Sequence, residues 1–90
     1  MYKVIYSENS LRDLRKIGKT TARRIIKKIE FFSQQKQISA FCKHLKGFDA
    51  NIFRFRIGEY RAIFSVNDSG QIQILMILNV KHRKDIYRTQ

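Results

Sequence analysis

The sequence contains no proline, no tryptophan and a single cysteine, Cys42. One cysteine cannot form an intramolecular disulfide, a thiolate zinc site or a Cys-x-x-Cys redox motif, and this composition fits a reducing cytoplasm. No stretch approaches the ~18 apolar residues that a membrane-spanning helix needs, and the first residues lack the apolar run of a signal peptide. These absences predict a cytoplasmic protein that does not engage a membrane.

Acidic residues are also scarce. Seven Asp and Glu stand against nineteen Lys and Arg, which gives a formal net charge of +12. The acids are scattered without the spacing of metal ligands, so we expect neither a metal nor another cofactor. Self-repulsion of this size opposes folding unless a polyanion or an acidic partner offsets it. The charge favours a nucleic acid as partner, and a merely soluble basic surface is the alternative.

What is present is the composition of a compact domain, with 43% hydrophobic and 29% charged residues. Ninety residues leave room for one core, so we expect a single domain over residues 1–90. Hydrophobic residues recur at helical spacing on either side of Gly18, and the polar face of the second helix is strongly basic and is interpreted as solvated. Period-two alternation predicts strands at 2–6, 52–57, 60–66 and 72–78.

The central hairpin carries the functional argument. If Gly58 and Glu59 form its loop, Arg56 lies opposite Arg61, and Arg54 shares their face of the sheet. Like charges in opposite positions are unfavourable, and an anion would reverse the sign. Guanidinium groups match phosphate oxygens in bidentate fashion, so the cluster predicts a nucleic-acid backbone site. The alternative is that the arginines extend into solvent or pair with acids of the helices. The apolar residues of the hairpin then face the core: Phe53, Phe55, Ile57, Tyr60, Ala62 and Phe64.

A second polar group follows the last strand and contains Lys81, His82, Arg83 and Tyr87. Histidine can exchange a proton near neutral pH, and an exposed tyrosine can stack on an unpaired base. The alternatives are a surface histidine without a role and a tyrosine that anchors the tail. Without a metal, DNA is difficult to cleave, whereas RNA supplies its own nucleophile in the ribose 2′-hydroxyl. These residues favour RNA over DNA.

Three segments together resemble the RelE/ParE toxin superfamily, over nearly the whole chain. They are Leu45-Lys-Gly47, Phe53-Arg-Phe-Arg-Ile-Gly-Glu-Tyr-Arg61 and His82-Arg-Lys-Asp-Ile-Tyr87. The resemblance implies a toxin of a type II toxin-antitoxin system with an α+β, RelE-like fold. Its expected order is β-α-α-β-β-β, with a twisted, mainly antiparallel four-stranded sheet packed against two N-terminal helices. RelE-like members enter the ribosomal A site and cut mRNA by attack of the 2′-hydroxyl on the adjacent phosphate, which inhibits translation.

The resemblance also implies roles for individual residues. Arg54 and Arg56 stand where the RelE-like branch has basic residues that bind the RNA backbone and act as a base, so Arg56 is a candidate for both roles, and Lys46 is assigned to RNA binding with them. Arg61 stands where that branch stabilises the phosphorane. Tyr87 stands where that branch stacks on and orients the base. The implied activity is that of a metal-independent endoribonuclease.

The sequence does not decide which residues are the general acid and the general base. Lys81 or Arg83 stands near the basic residue proposed as general acid in the RelE-like branch. A lysine is often found where Arg56 stands, and arginine is a poor proton acceptor because its pKa lies above about 12. His82 is a candidate for the base or for the acid, and a ribosomal group is an alternative.

Partners follow from the same resemblance. We expect a cognate antitoxin that lays an acidic segment over the basic surface in a toxin-antitoxin hetero-oligomer, and we expect the ribosome and mRNA as targets. Two alternatives use the same fold. One is a ParE-like toxin that inhibits DNA gyrase without RNase activity, and the other is an inactive nucleic-acid-binding relative.

Overall fold

The computed structural model describes residues 2–48, 51–70 and 72–88, without the side chains of Ser69 and of residues 86–88. Three α-helices and five β-strands make up this part of the chain. They are β1 (Tyr2–Tyr6), α1 (Glu8–Ile17), α2 (Lys19–Ser33), β2 (Cys42–His44), β3 (Ile52–Ile57), β4 (Tyr60–Ser69), β5 (Ile72–His82) and α3 (Arg83–Arg88). A short 3-10 turn, Ile38–Ala40, precedes β2.

The strands form one sheet in the order β1-β5-β4-β3-β2. β1 runs parallel to β5, and the other neighbours are antiparallel. The predicted α+β class and the mainly antiparallel sheet are confirmed, but the sheet has five strands rather than four. The additional strand is β2, whose three residues pair with the end of β3. So short a strand shows no hydrophobic period of its own, and the sequence pattern therefore missed it.

The C-terminal part also differs from the prediction. β5 continues to His82 instead of ending near residue 78, and the expected tail begins with the helix α3. A bulge where Ile63 and Phe64 of β4 face β5 shifts the register, so the apolar alternation of the strand is interrupted at that point. Because the alternation is interrupted there, the period-two pattern did not predict the last four residues of β5.

Local signals explain how the two N-terminal helices begin and end. The Ser7 hydroxyl accepts the N–H of Ser10 at 3.1 Å, which caps α1. Gly18 has φ of +103° and donates its N–H to Leu14 O at 3.3 Å, which ends α1 directly before α2 begins. No helix among the described residues is long and apolar enough to cross a membrane.

The core lies between these helices and one face of the sheet. Ile25 and Ile29 of α2 are fully buried with Phe55 and Phe64, whose rings stack at 4.2 Å between centroids. Ile57 and Ala62 are buried in the same cluster, and Phe53 and Tyr60 pack against it in half-buried positions. The predicted core face of the hairpin is thus confirmed. Its other face is left uncovered by α1 and α2.

Candidate nucleic-acid interface

The β3–β4 hairpin has the predicted register. Arg56 pairs with Arg61, and Arg54 pairs with Ile63, across a two-residue turn at Gly58 and Glu59. Gly58 has φ of +59°, which suits glycine at the first turn position. Directly paired residues project to the same face of the sheet, and neighbours along a strand project to opposite faces. The arginines therefore lie on one face, and the core residues Phe55 and Ala62 lie on the other.

A pocket of about 310 Å³ opens on this arginine face. No Asp or Glu is among its described lining residues, so the pocket is purely cationic in its formal charges. Its size is at the lower end of the range for small-molecule sites, large enough for one nucleotide unit. The lining residues are Ala40, Phe41, Cys42, Lys43, Arg54, Arg56 and Arg61.

Arg61 is the most buried of the arginines, with 6% of its surface exposed. Its Nη1 donates to Gly58 O at 3.1 Å and to Tyr60 O at 3.0 Å. These two carbonyls hold the guanidinium against the turn before any ligand arrives. A preorganised cation of this kind needs no reorganisation to stabilise developing negative charge.

The other cations of the pocket reach solvent more freely. Arg56 is exposed and Arg54 is half-buried. Lys43 is exposed and pairs with Arg54 through the β2–β3 register, which places it on the arginine face. Lys43 was not predicted as a site residue, because the three-residue strand β2 shows no pattern in the sequence. Lys46 lies in the turn after β2 and is not among the described residues that line the pocket.

The second predicted group lies at the end of β5, and its side chains are not all on one face of the sheet. His82 pairs with Tyr60, and their rings meet edge to face at 5.4 Å. Val80 and Ala62, the next pair on that face, belong to the core. His82 therefore lies on the helix-covered face, whereas Arg61 lies on the opposite one.

Two acids hold the basic side chains of this segment. Lys81 pairs with Arg61 in the register, but its Nζ donates to Asp13 Oδ1 at 2.9 Å. Arg83 Nε lies 2.8 Å from Glu59 Oε2, and His82 Nε2 lies 4.0 Å from the same oxygen. Neither acid was predicted to pair with this C-terminal segment. Asp13 carried a signal, because it falls on the inward face of α1 beside Leu14.

The helix-covered face has a pocket of its own, of about 260 Å³. Its charged and polar lining residues include Asp13, Lys81, His82 and Asp85. Tyr87 falls in α3, and its side chain lies outside the described residues. Among the residues that the structure describes, no three His, Cys, Asp or Glu side chains are grouped so that they could hold a metal ion.

The thiol at the edge of the arginine pocket is shielded. Cys42 pairs with Phe55 and packs against the core. Burial raises the pKa of the Cys42 thiol above its usual value, because it disfavours the charged form. The thiol therefore stays protonated near neutral pH.

Known proteins resemble this chain in sequence and in fold. Residues 4–87 match the family model of the ParE toxin of type II toxin-antitoxin systems, parDE. No curated protein sequence matches the chain significantly. The chain is similar to a chain of the RelB-RelE antitoxin-toxin complex from Methanococcus jannaschii, with 27% identity and a TM-score of 0.68 over 92% of this chain and 94% of that chain.

Two further solved structures have the same fold. A chain of the RelBE2 toxin-antitoxin complex from Mycobacterium tuberculosis is 27% identical, with a TM-score of 0.63 over 91% of this chain and 98% of that chain. A chain of the Escherichia coli RelBE complex is 21% identical, with a TM-score of 0.70 over 91% and 96%, and shows the likeness of fold alone. On its sequence and its fold together, the chain belongs to the ParE toxin family of type II toxin-antitoxin systems, within the RelE/ParE superfamily.

Proposed function

We propose that this toxin is a metal-independent endoribonuclease that cuts mRNA in the ribosomal A site and so inhibits translation. The observation that carries the proposal is the pocket in which Arg54, Arg56 and Arg61 line one cavity without an acid among its described lining residues. Guanidinium groups bind phosphate oxygens as bidentate donors, and a cluster of them suits a polyanion backbone. The resemblance to RelE-like toxins, which cut mRNA, favours an RNA target, and two of the similar chains, at 27% identity, come from RelB-RelE and RelBE2 complexes.

In this proposal the ribose 2′-hydroxyl attacks the adjacent phosphorus while the bond to the 5′-oxygen breaks. Arg54 and Arg56 hold the RNA backbone at the mouth of the pocket, with Lys46 extending the basic surface beside it. Arg61, already held by two main-chain carbonyls, faces the negative charge that develops on the phosphorane. Tyr87 stacks on the base and orients the nucleotide.

We propose a cognate antitoxin as the resting partner. Two of the similar chains come from antitoxin-toxin complexes. An acidic antitoxin segment over the arginine pocket would offset part of the +12 charge and block access of RNA. The toxin is then held in a hetero-oligomer in the cytoplasm, where ribosomes are found.

The test mixes the purified toxin with ribosomes programmed with a defined mRNA and maps cuts by primer extension. The same toxin is added to naked RNA and, in a third reaction, is first mixed with its antitoxin. We expect cuts in the A-site codon only with ribosomes, and none after antitoxin addition. Arg56→Ala should cut far more slowly, while Arg23→Ala on the outer face of α2 should cut like the parent. Folded toxin that leaves mRNA intact on ribosomes would refute the nuclease function.

A second function has a specific observation in its favour. The matching family model describes the ParE toxin of parDE systems, and ParE-like toxins inhibit DNA gyrase. In that case the same fold acts through a different surface. A supercoiling assay with purified gyrase decides between them, since inhibition of gyrase by a toxin that leaves ribosome-bound mRNA intact supports this function.

A further inference from the structure

The proposed cleavage needs a proton donor, and this inference rests on that function. When the bond from phosphorus to the 5′-oxygen breaks, its electron pair stays on the oxygen, which is a poor leaving group unless it gains a proton. Arginine stays protonated near neutral pH and is a poor proton donor, because its pKa lies above about 12. Arg54, Arg56 and Arg61 can therefore bind the phosphate but cannot protonate the leaving oxygen.

Other titratable side chains near the hairpin are directed elsewhere. His82 lies with Tyr60 on the helix-covered face, so the sheet separates it from Arg61. The ammonium of Lys81 donates to the Asp13 carboxylate at 2.9 Å, and the Nε of Arg83, the other candidate acid, lies 2.8 Å from Glu59 Oε2. Cys42 is partly buried and packs against the core.

Lys43 is placed differently. It is exposed, it lines the arginine pocket, and it lies opposite Arg54 in the β2–β3 register. β2 is the edge strand of the sheet, so the long lysine side chain projects over the rim of the pocket rather than into the packed sheet. A lysine ammonium is a compact donor on a flexible stem, and unlike a guanidinium it can give up a proton.

We propose that Lys43 is the general acid of the arginine pocket. The 2′-oxygen forms a bond to phosphorus, the bond from phosphorus to the 5′-oxygen breaks, and the Lys43 ammonium protonates the departing 5′-oxygen. The proton of the 2′-hydroxyl leaves to bulk water. Water then returns a proton to the Lys43 amine, so that the cycle has no net proton change.

The test compares Lys43→Arg, Lys43→Gln and Lys27→Gln with the parent toxin on ribosome-bound mRNA. Lys43→Arg keeps the positive charge but replaces the ammonium with a much weaker acid, whereas Lys27→Gln removes a charge from the exposed outer face of α2. We expect both Lys43 variants to cut at least about 100-fold more slowly, as is typical when a general acid is removed. We expect Lys27→Gln to cut at the parent's rate.

A modified substrate separates proton donation from phosphate binding. The mRNA carries one sulfur in place of the bridging 5′-oxygen at the cleavage position, and a thiolate leaves without needing a proton. Lys43→Arg should cut this mRNA at close to the parent's rate. Thermal unfolding of each variant confirms that it is folded, and since Lys43 is exposed on an edge strand we expect no loss of stability.

Each outcome has a distinct meaning. Slow cutting of normal mRNA with recovery on the sulfur substrate supports the role of Lys43. If Lys43→Arg cuts normal mRNA like the parent, or cuts both substrates slowly, Lys43 is not the general acid. If the parent itself leaves ribosome-bound mRNA intact, the nuclease function fails, and the role of Lys43 fails with it.

Discussion

The carboxylate of Asp13 accepts the backbone N–H of Val80 at 2.9 Å. β1 pairs with β5 as far as Ile77, and beyond that residue the α1 cap Ser7 and the α1 residue Asp13 bind the edge of β5. The Ser7 N–H donates to Ile77 O, and its hydroxyl donates to Leu78 O. The chain that leaves β1 thus supplies the hydrogen-bond partners that β1 itself no longer provides.

Removal of the Asp13 carboxylate should therefore destabilise the fold. Asp13→Ala leaves the Val80 N–H buried without its acceptor and frees the Lys81 ammonium, and we expect a loss of about 1–3 kcal/mol. Asp13→Asn keeps an oxygen acceptor and should lose less. The measurement is the free energy of unfolding from urea titration of both variants. A loss of less than about 0.5 kcal/mol for Asp13→Ala would mean that water replaces the carboxylate at this edge.

The arginine pocket predicts a specific salt dependence of RNA binding. Arg56→Ala should weaken binding of a single-stranded RNA oligonucleotide and reduce the slope of log K against log salt by about 0.7, the value for one lost phosphate contact. Fluorescence anisotropy at several salt concentrations gives this slope. Arg23→Ala removes the same charge from the outer face of α2 and should leave the slope unchanged. Equal changes for both variants would indicate that only net charge matters.

The turn of the hairpin requires its glycine. Gly58 has φ of +59°, and an added Cβ would meet nothing within 4 Å, so substitution there carries a conformational cost without a clash. Gly58→Ala should cost about 1 kcal/mol. Gly58→Asn should cost less, because asparagine tolerates this conformation better. Chemical denaturation compares the two variants, and a larger loss for Asn than for Ala would argue against this explanation.

Tyr6 predicts an alkaline loss of stability. Burial of its phenol, with a contribution from the Glu30 carboxylate, raises the pKa of Tyr6 from 10.0 to about 12. The folded protein holds this proton more tightly than the unfolded chain. The stability that the protonated phenol contributes is therefore fully present below pH 10 and is lost as the pH rises toward about 12. Tyr6→Phe should lose less unfolding free energy than the parent over this range.

The same variant tests the burial of the Tyr6 hydroxyl. Its oxygen is buried with no hydrogen-bond partner among the described residues. Replacement by phenylalanine removes an unsatisfied polar group, so Tyr6→Phe should be at least as stable as the parent near neutral pH. Urea denaturation at neutral and alkaline pH measures both effects. Parallel pH profiles of the two proteins would contradict the raised pKa.

The sequence by itself determined the face of each residue in the hairpin. Period-two alternation across Gly58 and Glu59 allows one register, and a slip by one residue would bury Arg56 and expose Phe55. The pairing of Arg56 with Arg61 follows from this alone. The α+β class and the two N-terminal helices were likewise accessible, because hydrophobic residues recur at helical spacing on either side of Gly18 and with a period of two in the later strands.

Only the tertiary structure decided which polar groups share a site. Lys43, on a three-residue strand, reaches the arginine pocket through pairing with β3, a contact that no local pattern of hydrophobicity encodes. The sequence offered His82 as a proton-transfer candidate for the arginine site, yet the extension of β5 places it beside Tyr60 on the helix-covered face. Local side-chain preferences set the period of each strand, but strand neighbours and the length of pairing depend on contacts between distant residues.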